Sequence, residues 1–166
     1  DLPLILDAVD AHRVTHMITV PTVLALLTRL GSAYADAFDS DSFRLVMSNA
    51  APLPTALWEE VESRFGVVVC NSYGLTETVT SSLASGPDER RHRRMGTVGR
   101  AVGAEVVLLD PAGEEIMEQV AEGEIAIRGE HLFSGYLDDP ERTAAVFDGT
   151  TLRTGDLASR DADGYI

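Results

Sequence analysis

Three short apolar runs constrain this chain more than anything else in it. Residues 15–20 (THMITV), 45–47 (LVM) and 67–70 (VVVC) are too brief for helices and are apolar without strict alternation, the signature of strands buried on both faces of a parallel sheet. Helical stripes stand between them. Residues 4–12 carry apolar side chains at helical spacing, and Pro21 opens a second stripe of Val23, Leu24, Leu27 and Leu30 that Gly31 should stop. After 45–47, a Pro52/Pro54 turn leads to Leu57, Val61 and Phe65 on one helical face, with Glu59, Glu60 and Glu62 off it and Gly66 as the stop. Strands and helices in alternation imply right-handed crossovers.

Beyond about residue 85 the period changes. Residues 105–110 (EVVLLD) meet a Pro111-Ala112-Gly113 turn, 124–128 (EIAIR) alternate with period two, 150–158 read as extended, and 140–147 fit one short helix. The expected fold is α/β: a parallel sheet with flanking helices, followed by a small antiparallel β lobe. We divide the chain into a parallel lobe at 1–85, an arginine-rich loop at 86–94 and a β-rich lobe at 95–166. The chain opens at Asp1 and stops at Tyr165-Ile166, where a strand is due after Asp163-Gly164. Both ends read as cut.

Composition narrows the chemistry. Acids number 27 and bases 13, for a formal charge of −14, and every base is arginine. Without lysine, this chain holds no Schiff-base or Walker lysine and no lysine general base. The acidity argues against nucleic acid as a partner. Arg90, Arg91, Arg93 and Arg94 around His92 are the local exception, read as a solvated loop or an anion contact. Cys70 is single and follows three valines, so a buried role in a reducing, cytoplasmic compartment is expected. No apolar run reaches the length of a membrane span.

Loops leaving the carboxyl ends of parallel strands are where ligands collect. Ser48-Asn49-Ala50-Ala51-Pro52 offers small residues against which a flat group can lie. Asn71-Ser72-Tyr73-Gly74-Leu75-Thr76-Glu77-Thr78 places an aromatic, a glycine, a hydroxyl and a carboxylate within one turn of a strand. A planar ring could lie between Ala51-Pro52 and Tyr73, with Asn71 at its edge. Glu77 suits a divalent ion bridging phosphate oxygens, with Thr76 donating to the same phosphate. The same residues also suit a helix start, Thr76 capping and Glu77 meeting the dipole. Asp156, beside Gly155, could accept from both hydroxyls of a ribose or simply sit in a β-turn. Asp161-Ala162-Asp163-Gly164 reads as a hairpin turn. The four histidines show no metal spacing, and no G-x-S-x-G elbow is present.

Taken together these segments resemble the adenylate-forming superfamily of acyl- and aryl-CoA synthetases, luciferases and peptide-synthetase adenylation domains. SNAAPLP at 48–54 is similar to its adenine-wall segment, and NSYGLTET at 71–78 to its Tyr-Gly-x-Thr-Glu signature. GEIAIRGEHLFSGYLDDPERTAAVF at 123–147 and RTGDLASRDADGYI at 153–166 are similar to its later blocks, with MGTVGRAV at 95–102 between. The resemblance implies that Ala50, Ala51 and Pro52 line adenine, with Asn71, Ser72, Tyr73 and Gly74 completing its seat. It implies further that Thr76 contacts the α-phosphate, Glu77 holds Mg2+ and Asp156 takes the ribose, with Thr76 and Glu77 as the catalytic pair.

The implied reaction joins a small-molecule carboxylic acid to ATP, giving an acyl-adenylate and pyrophosphate, after which coenzyme A takes the acyl group. EIAIRGE favours the CoA-ligase branch, and a fatty or other hydrophobic acid is expected, with residues 16–25 as the candidate acyl wall. The family's lysine-bearing phosphate loop should precede Asp1, and its hinge and catalytic lysine should follow Ile166, so the piece alone should be inactive. Asn49 stands where the family often has glycine. An amino-acid adenylation domain, a non-catalytic nucleotide-binding module and a purely structural domain are the alternatives. Exposed strand edges make self-association an expectation as well.

Overall fold

A computed structural model of the protein describes residues 2–30, 34, 36–79, 81–86 and 94–166. Gly31 and the Arg90–Arg93 run lie outside the described residues. The chain divides into two units, Asp1–Ser72 with Ser85–Gly96, and Tyr73–Ala84 with Thr97–Ile166.

In the first unit the three apolar runs form parallel strands. β1 (His16–Thr19) pairs with β2 (Leu45–Ser48), Met17 facing Val46, and β2 pairs with β3 (Val69–Tyr73), Ser48 facing Asn71. β3 begins two residues later than the valine run suggests and carries the polar Asn71 and Ser72 within the strand. α1 (Leu2–Ala11) buries Leu6 and Val9, and α2 (Pro21–Leu27) begins on its proline and buries Leu24 and Leu27. α3 (Thr55–Phe65) ends where Gly66 adopts φ +64°, its N–H donating to the Glu62 carbonyl; a side chain there would be strained.

The core face of α3 is Trp58, Val61 and Phe65, all buried, with Leu57 beside them. Glu62 differs from the expected solvent face. Its Oε1 accepts from the Trp58 indole at 3.1 Å and from the Val69 N–H at 2.8 Å, so the carboxylate satisfies a buried indole and ties α3 to the start of β3.

The second unit is antiparallel. β4 (Leu83–Ala84) pairs with β5 (Arg100–Ala101), and β6 (Glu105–Leu109), β7 (Ala121–Arg128), β9 (Thr151–Arg160) and β8 (Phe147–Asp148) form a sheet in the order β6-β7-β9-β8. α4 (Pro140–Val146) is capped by Asp139, whose carboxylate accepts the Arg142 N–H at 2.9 Å. Leu83, Leu108, Ile125 and Ile127 form the core. Asp110 accepts two backbone N–H groups in the turn after β6, and Asp161 does the same in the turn at 161–165.

Residues 73–84, expected with the parallel lobe, pack in the second unit. The reason is hydrogen bonding and burial: Ser82 N donates to Tyr73 O, Val102 N donates to Ser82 O, and Leu83 is fully buried in this core. β4, β5 and β8 have two residues each, too few to show a period.

Candidate functional site

β3 delivers Tyr73, and the chain passes through Gly74 and Leu75 into one 3₁₀ turn, Thr76–Thr78. The hydroxyl that closes this turn belongs to Thr78. It is buried, accepts from Leu75 N and donates to Leu75 O, both at 2.9 Å. Thr76, considered as a cap, is instead exposed. Val79 follows at φ +59°, ψ −36°, a strained conformation for a β-branched residue. The strain is held by the closed turn before it.

Glu77 is tied at both main chain and side chain. Its carbonyl accepts Phe133 N at 2.8 Å, and its Oε1 accepts the Tyr136 hydroxyl at 2.6 Å. That hydroxyl holds the Glu77 carboxyl below the usual carboxylate range, and the carboxylate in turn raises the Tyr136 phenol. Tyr136 lies inside the 123–147 block, where the sequence gives it no role of its own. A tyrosine after glycine carries no signal of its target until the fold brings position 77 to it.

Asp156 owes its place to an irregularity in β9. Glu124 pairs with Leu157 and Ala126 with Arg153, so Thr154, Gly155 and Asp156 stand opposite the single Ile125. Such a bulge re-aims a side chain away from the ladder. Three contacts hold it. Thr154 Oγ1 donates to the Ile125 carbonyl at 2.7 Å and accepts Asp156 N at 3.1 Å, while Glu124 Oε1 accepts Gly155 N at 3.1 Å. Gly155 sits at φ +76°, where other residues are disfavoured. Glu124 also pairs with Arg153, which together with the Gly155 N–H holds its carboxyl below the usual range.

The bulge brings Asp156 to Tyr73. The tyrosine hydroxyl donates to Asp156 Oδ2 at 2.6 Å across 83 residues of sequence. Burial and this bond push the Tyr73 phenol well above its ordinary value, and the charge of Glu77 acts on it in the same direction. Tyr73, Glu77 and Asp156 therefore share one neighbourhood in the second unit.

The remaining candidates lie in the first unit. Asn49 N donates to Thr19 O, and Asn49 Oδ1 accepts Ala50 N at 2.6 Å. Ala50 adopts φ +67°, and Ala50, Ala51 and Pro52 are exposed above the buried Leu53. Asn71 and Ser72 are each 4% exposed. Asn71 Oδ1 accepts Ser72 N at 3.1 Å, and the Ser72 hydroxyl donates to Ser48 O at 3.4 Å. Asn71 thus spends its carbonyl oxygen on the backbone.

Among the described residues no group of three or more His, Cys, Asp or Glu side chains could hold a metal ion. A single carboxylate matches an ion that takes most of its ligands from phosphate and water, which is the habit of Mg2+. Glu77, held in one orientation, fits that part. Among the described residues no helix is long and apolar enough to cross a membrane.

This chain belongs to the AMP-binding enzyme family, whose pattern matches residues 1–137, and within it to the acyl-CoA synthetase branch of the adenylate-forming superfamily. Its relatives include the sulfoacetate–CoA ligase of Cupriavidus necator, 36% identical over 157 residues, or 93% of this chain and 30% of that protein. The 2-succinylbenzoate–CoA ligase of Bacillus pumilus is 32% identical over 168 residues, covering 100% of this chain and 32% of its own length. Among solved structures, an anthranilate CoA ligase in complex with anthranoyl-AMP superposes with a TM-score of 0.85 at 29% identity, over 98% of this chain and 30% of that one. The O-succinylbenzoate coenzyme A synthetase of Bacillus subtilis, in complex with ATP and magnesium, gives 0.83 at 26% identity, over 99% of this chain and 33% of that one. The chain spans about a third of the length of the relatives it matches.

Proposed function

We propose that this chain forms the ribose- and metal-holding part of an AMP-forming carboxylic acid–CoA ligase. The reading rests chiefly on the Tyr73–Asp156 hydrogen bond, which joins two distant family blocks in one neighbourhood with Glu77. It is supported by relatives that are CoA ligases for sulfoacetate, 2-succinylbenzoate and 4-coumarate.

In this reading Asp156 accepts the ribose hydroxyls of ATP, its oxygens matching their spacing. The adenine seat is assigned to Tyr73 and Gly74 and to Ala50, Ala51, Pro52, Asn71 and Ser72, the residues that the family resemblance implies for it. Thr76, exposed on its turn, donates to the α-phosphate. Glu77 holds Mg2+, which when bound neutralises charge on the phosphates. The substrate carboxylate attacks the α-phosphorus, pyrophosphate leaves, and the coenzyme A thiol then displaces AMP from the acyl-adenylate. Two anions must meet, so the residues here align and neutralise rather than abstract a proton.

A fatty or other hydrophobic acid remains the finer proposal. It rests on residues 16–25, where Ile18 and Val20 are exposed while Leu24 is buried. The protein carrying this chain is expected to exchange labelled pyrophosphate into ATP when supplied with its acid, and Glu77→Gln and Asp156→Asn should each depress the exchange. Full exchange in both variants would remove the site assignment. A panel containing sulfoacetate, coumarate and octanoate tests the finer proposal, which requires octanoate or coumarate to be preferred and is refuted if sulfoacetate is the best of the three.

A further inference from the structure

We infer that Tyr136 is a positioning residue for Glu77, fixing the plane of its carboxylate so that the lone pairs of Oε2 are offered to the metal. The inference rests on reading Glu77 as the magnesium-holding group. The Tyr136 hydroxyl reaches Glu77 Oε1 at 2.6 Å, the length of a charge-assisted bond. Tyr136 is itself built into place. Its N–H donates to Thr143 Oγ1 at 2.9 Å, and the same hydroxyl donates to the Asp139 carbonyl at 2.9 Å. Gly135, at φ +142°, runs so close to Thr143 that a Cβ there would lie 2.9 Å from both Oγ1 and Cγ2. Phe133 meets the Tyr136 ring edge-on at 4.9 Å, and the Arg142 guanidinium covers it at 4.6 Å.

The Glu77 turn is gripped from the same segment through Phe133 N, so carboxylate and backbone move together with residues 133–143. A single freely rotating carboxylate must give up rotamer freedom to order a metal, whereas one held by a second group has lost that freedom already. Tyr136 supplies that restraint. It acts on the metal through Glu77.

The test uses the protein carrying this chain with Tyr136→Phe, which removes the hydroxyl and keeps the ring. Calorimetry reads how far magnesium tightens ATP binding relative to EDTA, and pyrophosphate exchange reads the magnesium concentration at half-saturation. Loss of an outer partner of a metal ligand costs about tenfold in metal affinity. Tyr136→Phe should therefore need about tenfold more magnesium, with the KM for ATP restored at saturating magnesium and a single cooperative melting transition retained in EDTA.

Thr143→Val, which releases the Tyr136 backbone without altering the phenol, should shift the magnesium response the same way, and Thr143→Ser should restore it. A wild-type magnesium response in Tyr136→Phe, alongside a lost response in Glu77→Gln, would overturn the positioning role while leaving Glu77 as the metal residue. An intact response in Glu77→Gln would overturn the reading of Glu77 and the role of Tyr136 with it.

Discussion

Replacing Thr154 by valine tests whether the bulge in β9 sets the affinity for the ribose. Valine has nearly the shape of threonine and lacks only the hydroxyl, so the change leaves no cavity and deletes two contacts. These are the 2.7 Å bond to the Ile125 carbonyl and the 3.1 Å bond from Asp156 N. Ile125 is buried, so its carbonyl is left with a desolvation cost rather than a water partner. At about 1 kcal/mol for each bond, the bulge loses about 2 kcal/mol of support. If all of that is drawn from the pose in which Asp156 meets the ribose, AMP affinity falls about thirtyfold, at 1.4 kcal/mol per decade.

Titration calorimetry with AMP on the protein carrying this chain measures the loss, and Thr154→Ser, which keeps the hydroxyl, should recover most of it. Asp156→Ala supplies the lower bound. A Thr154→Val protein that binds AMP within twofold of wild type, while Asp156→Ala does not bind, would show that Asp156 reaches its position without the bulge contacts.

Gly135→Ala should force a left-handed backbone onto alanine, at about 1–3 kcal/mol, and push Thr143 away from Tyr136 N. Its magnesium requirement should match that of Tyr136→Phe, and the double variant should be no worse than either, a non-additivity read by pyrophosphate exchange. Glu124, kept below the usual carboxylate range by Arg153 and Gly155 N–H, should stabilise the fold fully above its unfolded pKa of about 4.3. That contribution is lost as pH falls through the lowered folded value. Urea midpoints of wild type and Glu124→Gln should therefore differ near neutral pH and begin to draw together once pH falls below ~4; a gap that does not narrow with acidification would refute the pairing.

Much of the architecture is legible because apolar runs and helical stripes mark strands and helices, although β1, expected to be buried on both faces, leaves Ile18 77% exposed. The runs at 15–20, 45–47 and 67–70 became parallel strands, and of the expected Leu57-Val61-Phe65 face Val61 and Phe65 are buried while Leu57 is partly so; the fully buried Trp58 stands outside that expectation. Glu62 departs from its expected solvent face because its carboxylate serves a buried indole and a strand N–H. The candidate site residues are legible as separate motifs, and the convergence of Tyr73, Glu77 and Asp156 is expected from the family resemblance rather than from any local pattern. Tyr73 and Asp156 could be named from their blocks, but the bond between them depends on a bulge that no local pattern announces. Tyr136 and Thr154 escaped notice for the same reason, since each acts on a residue far from it in the chain.

The bulge also constrains how this strand can vary. Side chains along an extended chain take alternate sides, so a surplus of two residues preserves parity: Leu152 before it and Ala158 after it keep their sides. Loss of one residue from 154–156 would leave two residues opposite Ile125, the count of an ordinary bulge, so the ladder beyond could persist while Asp156 lost the position that the three-residue bulge gives it.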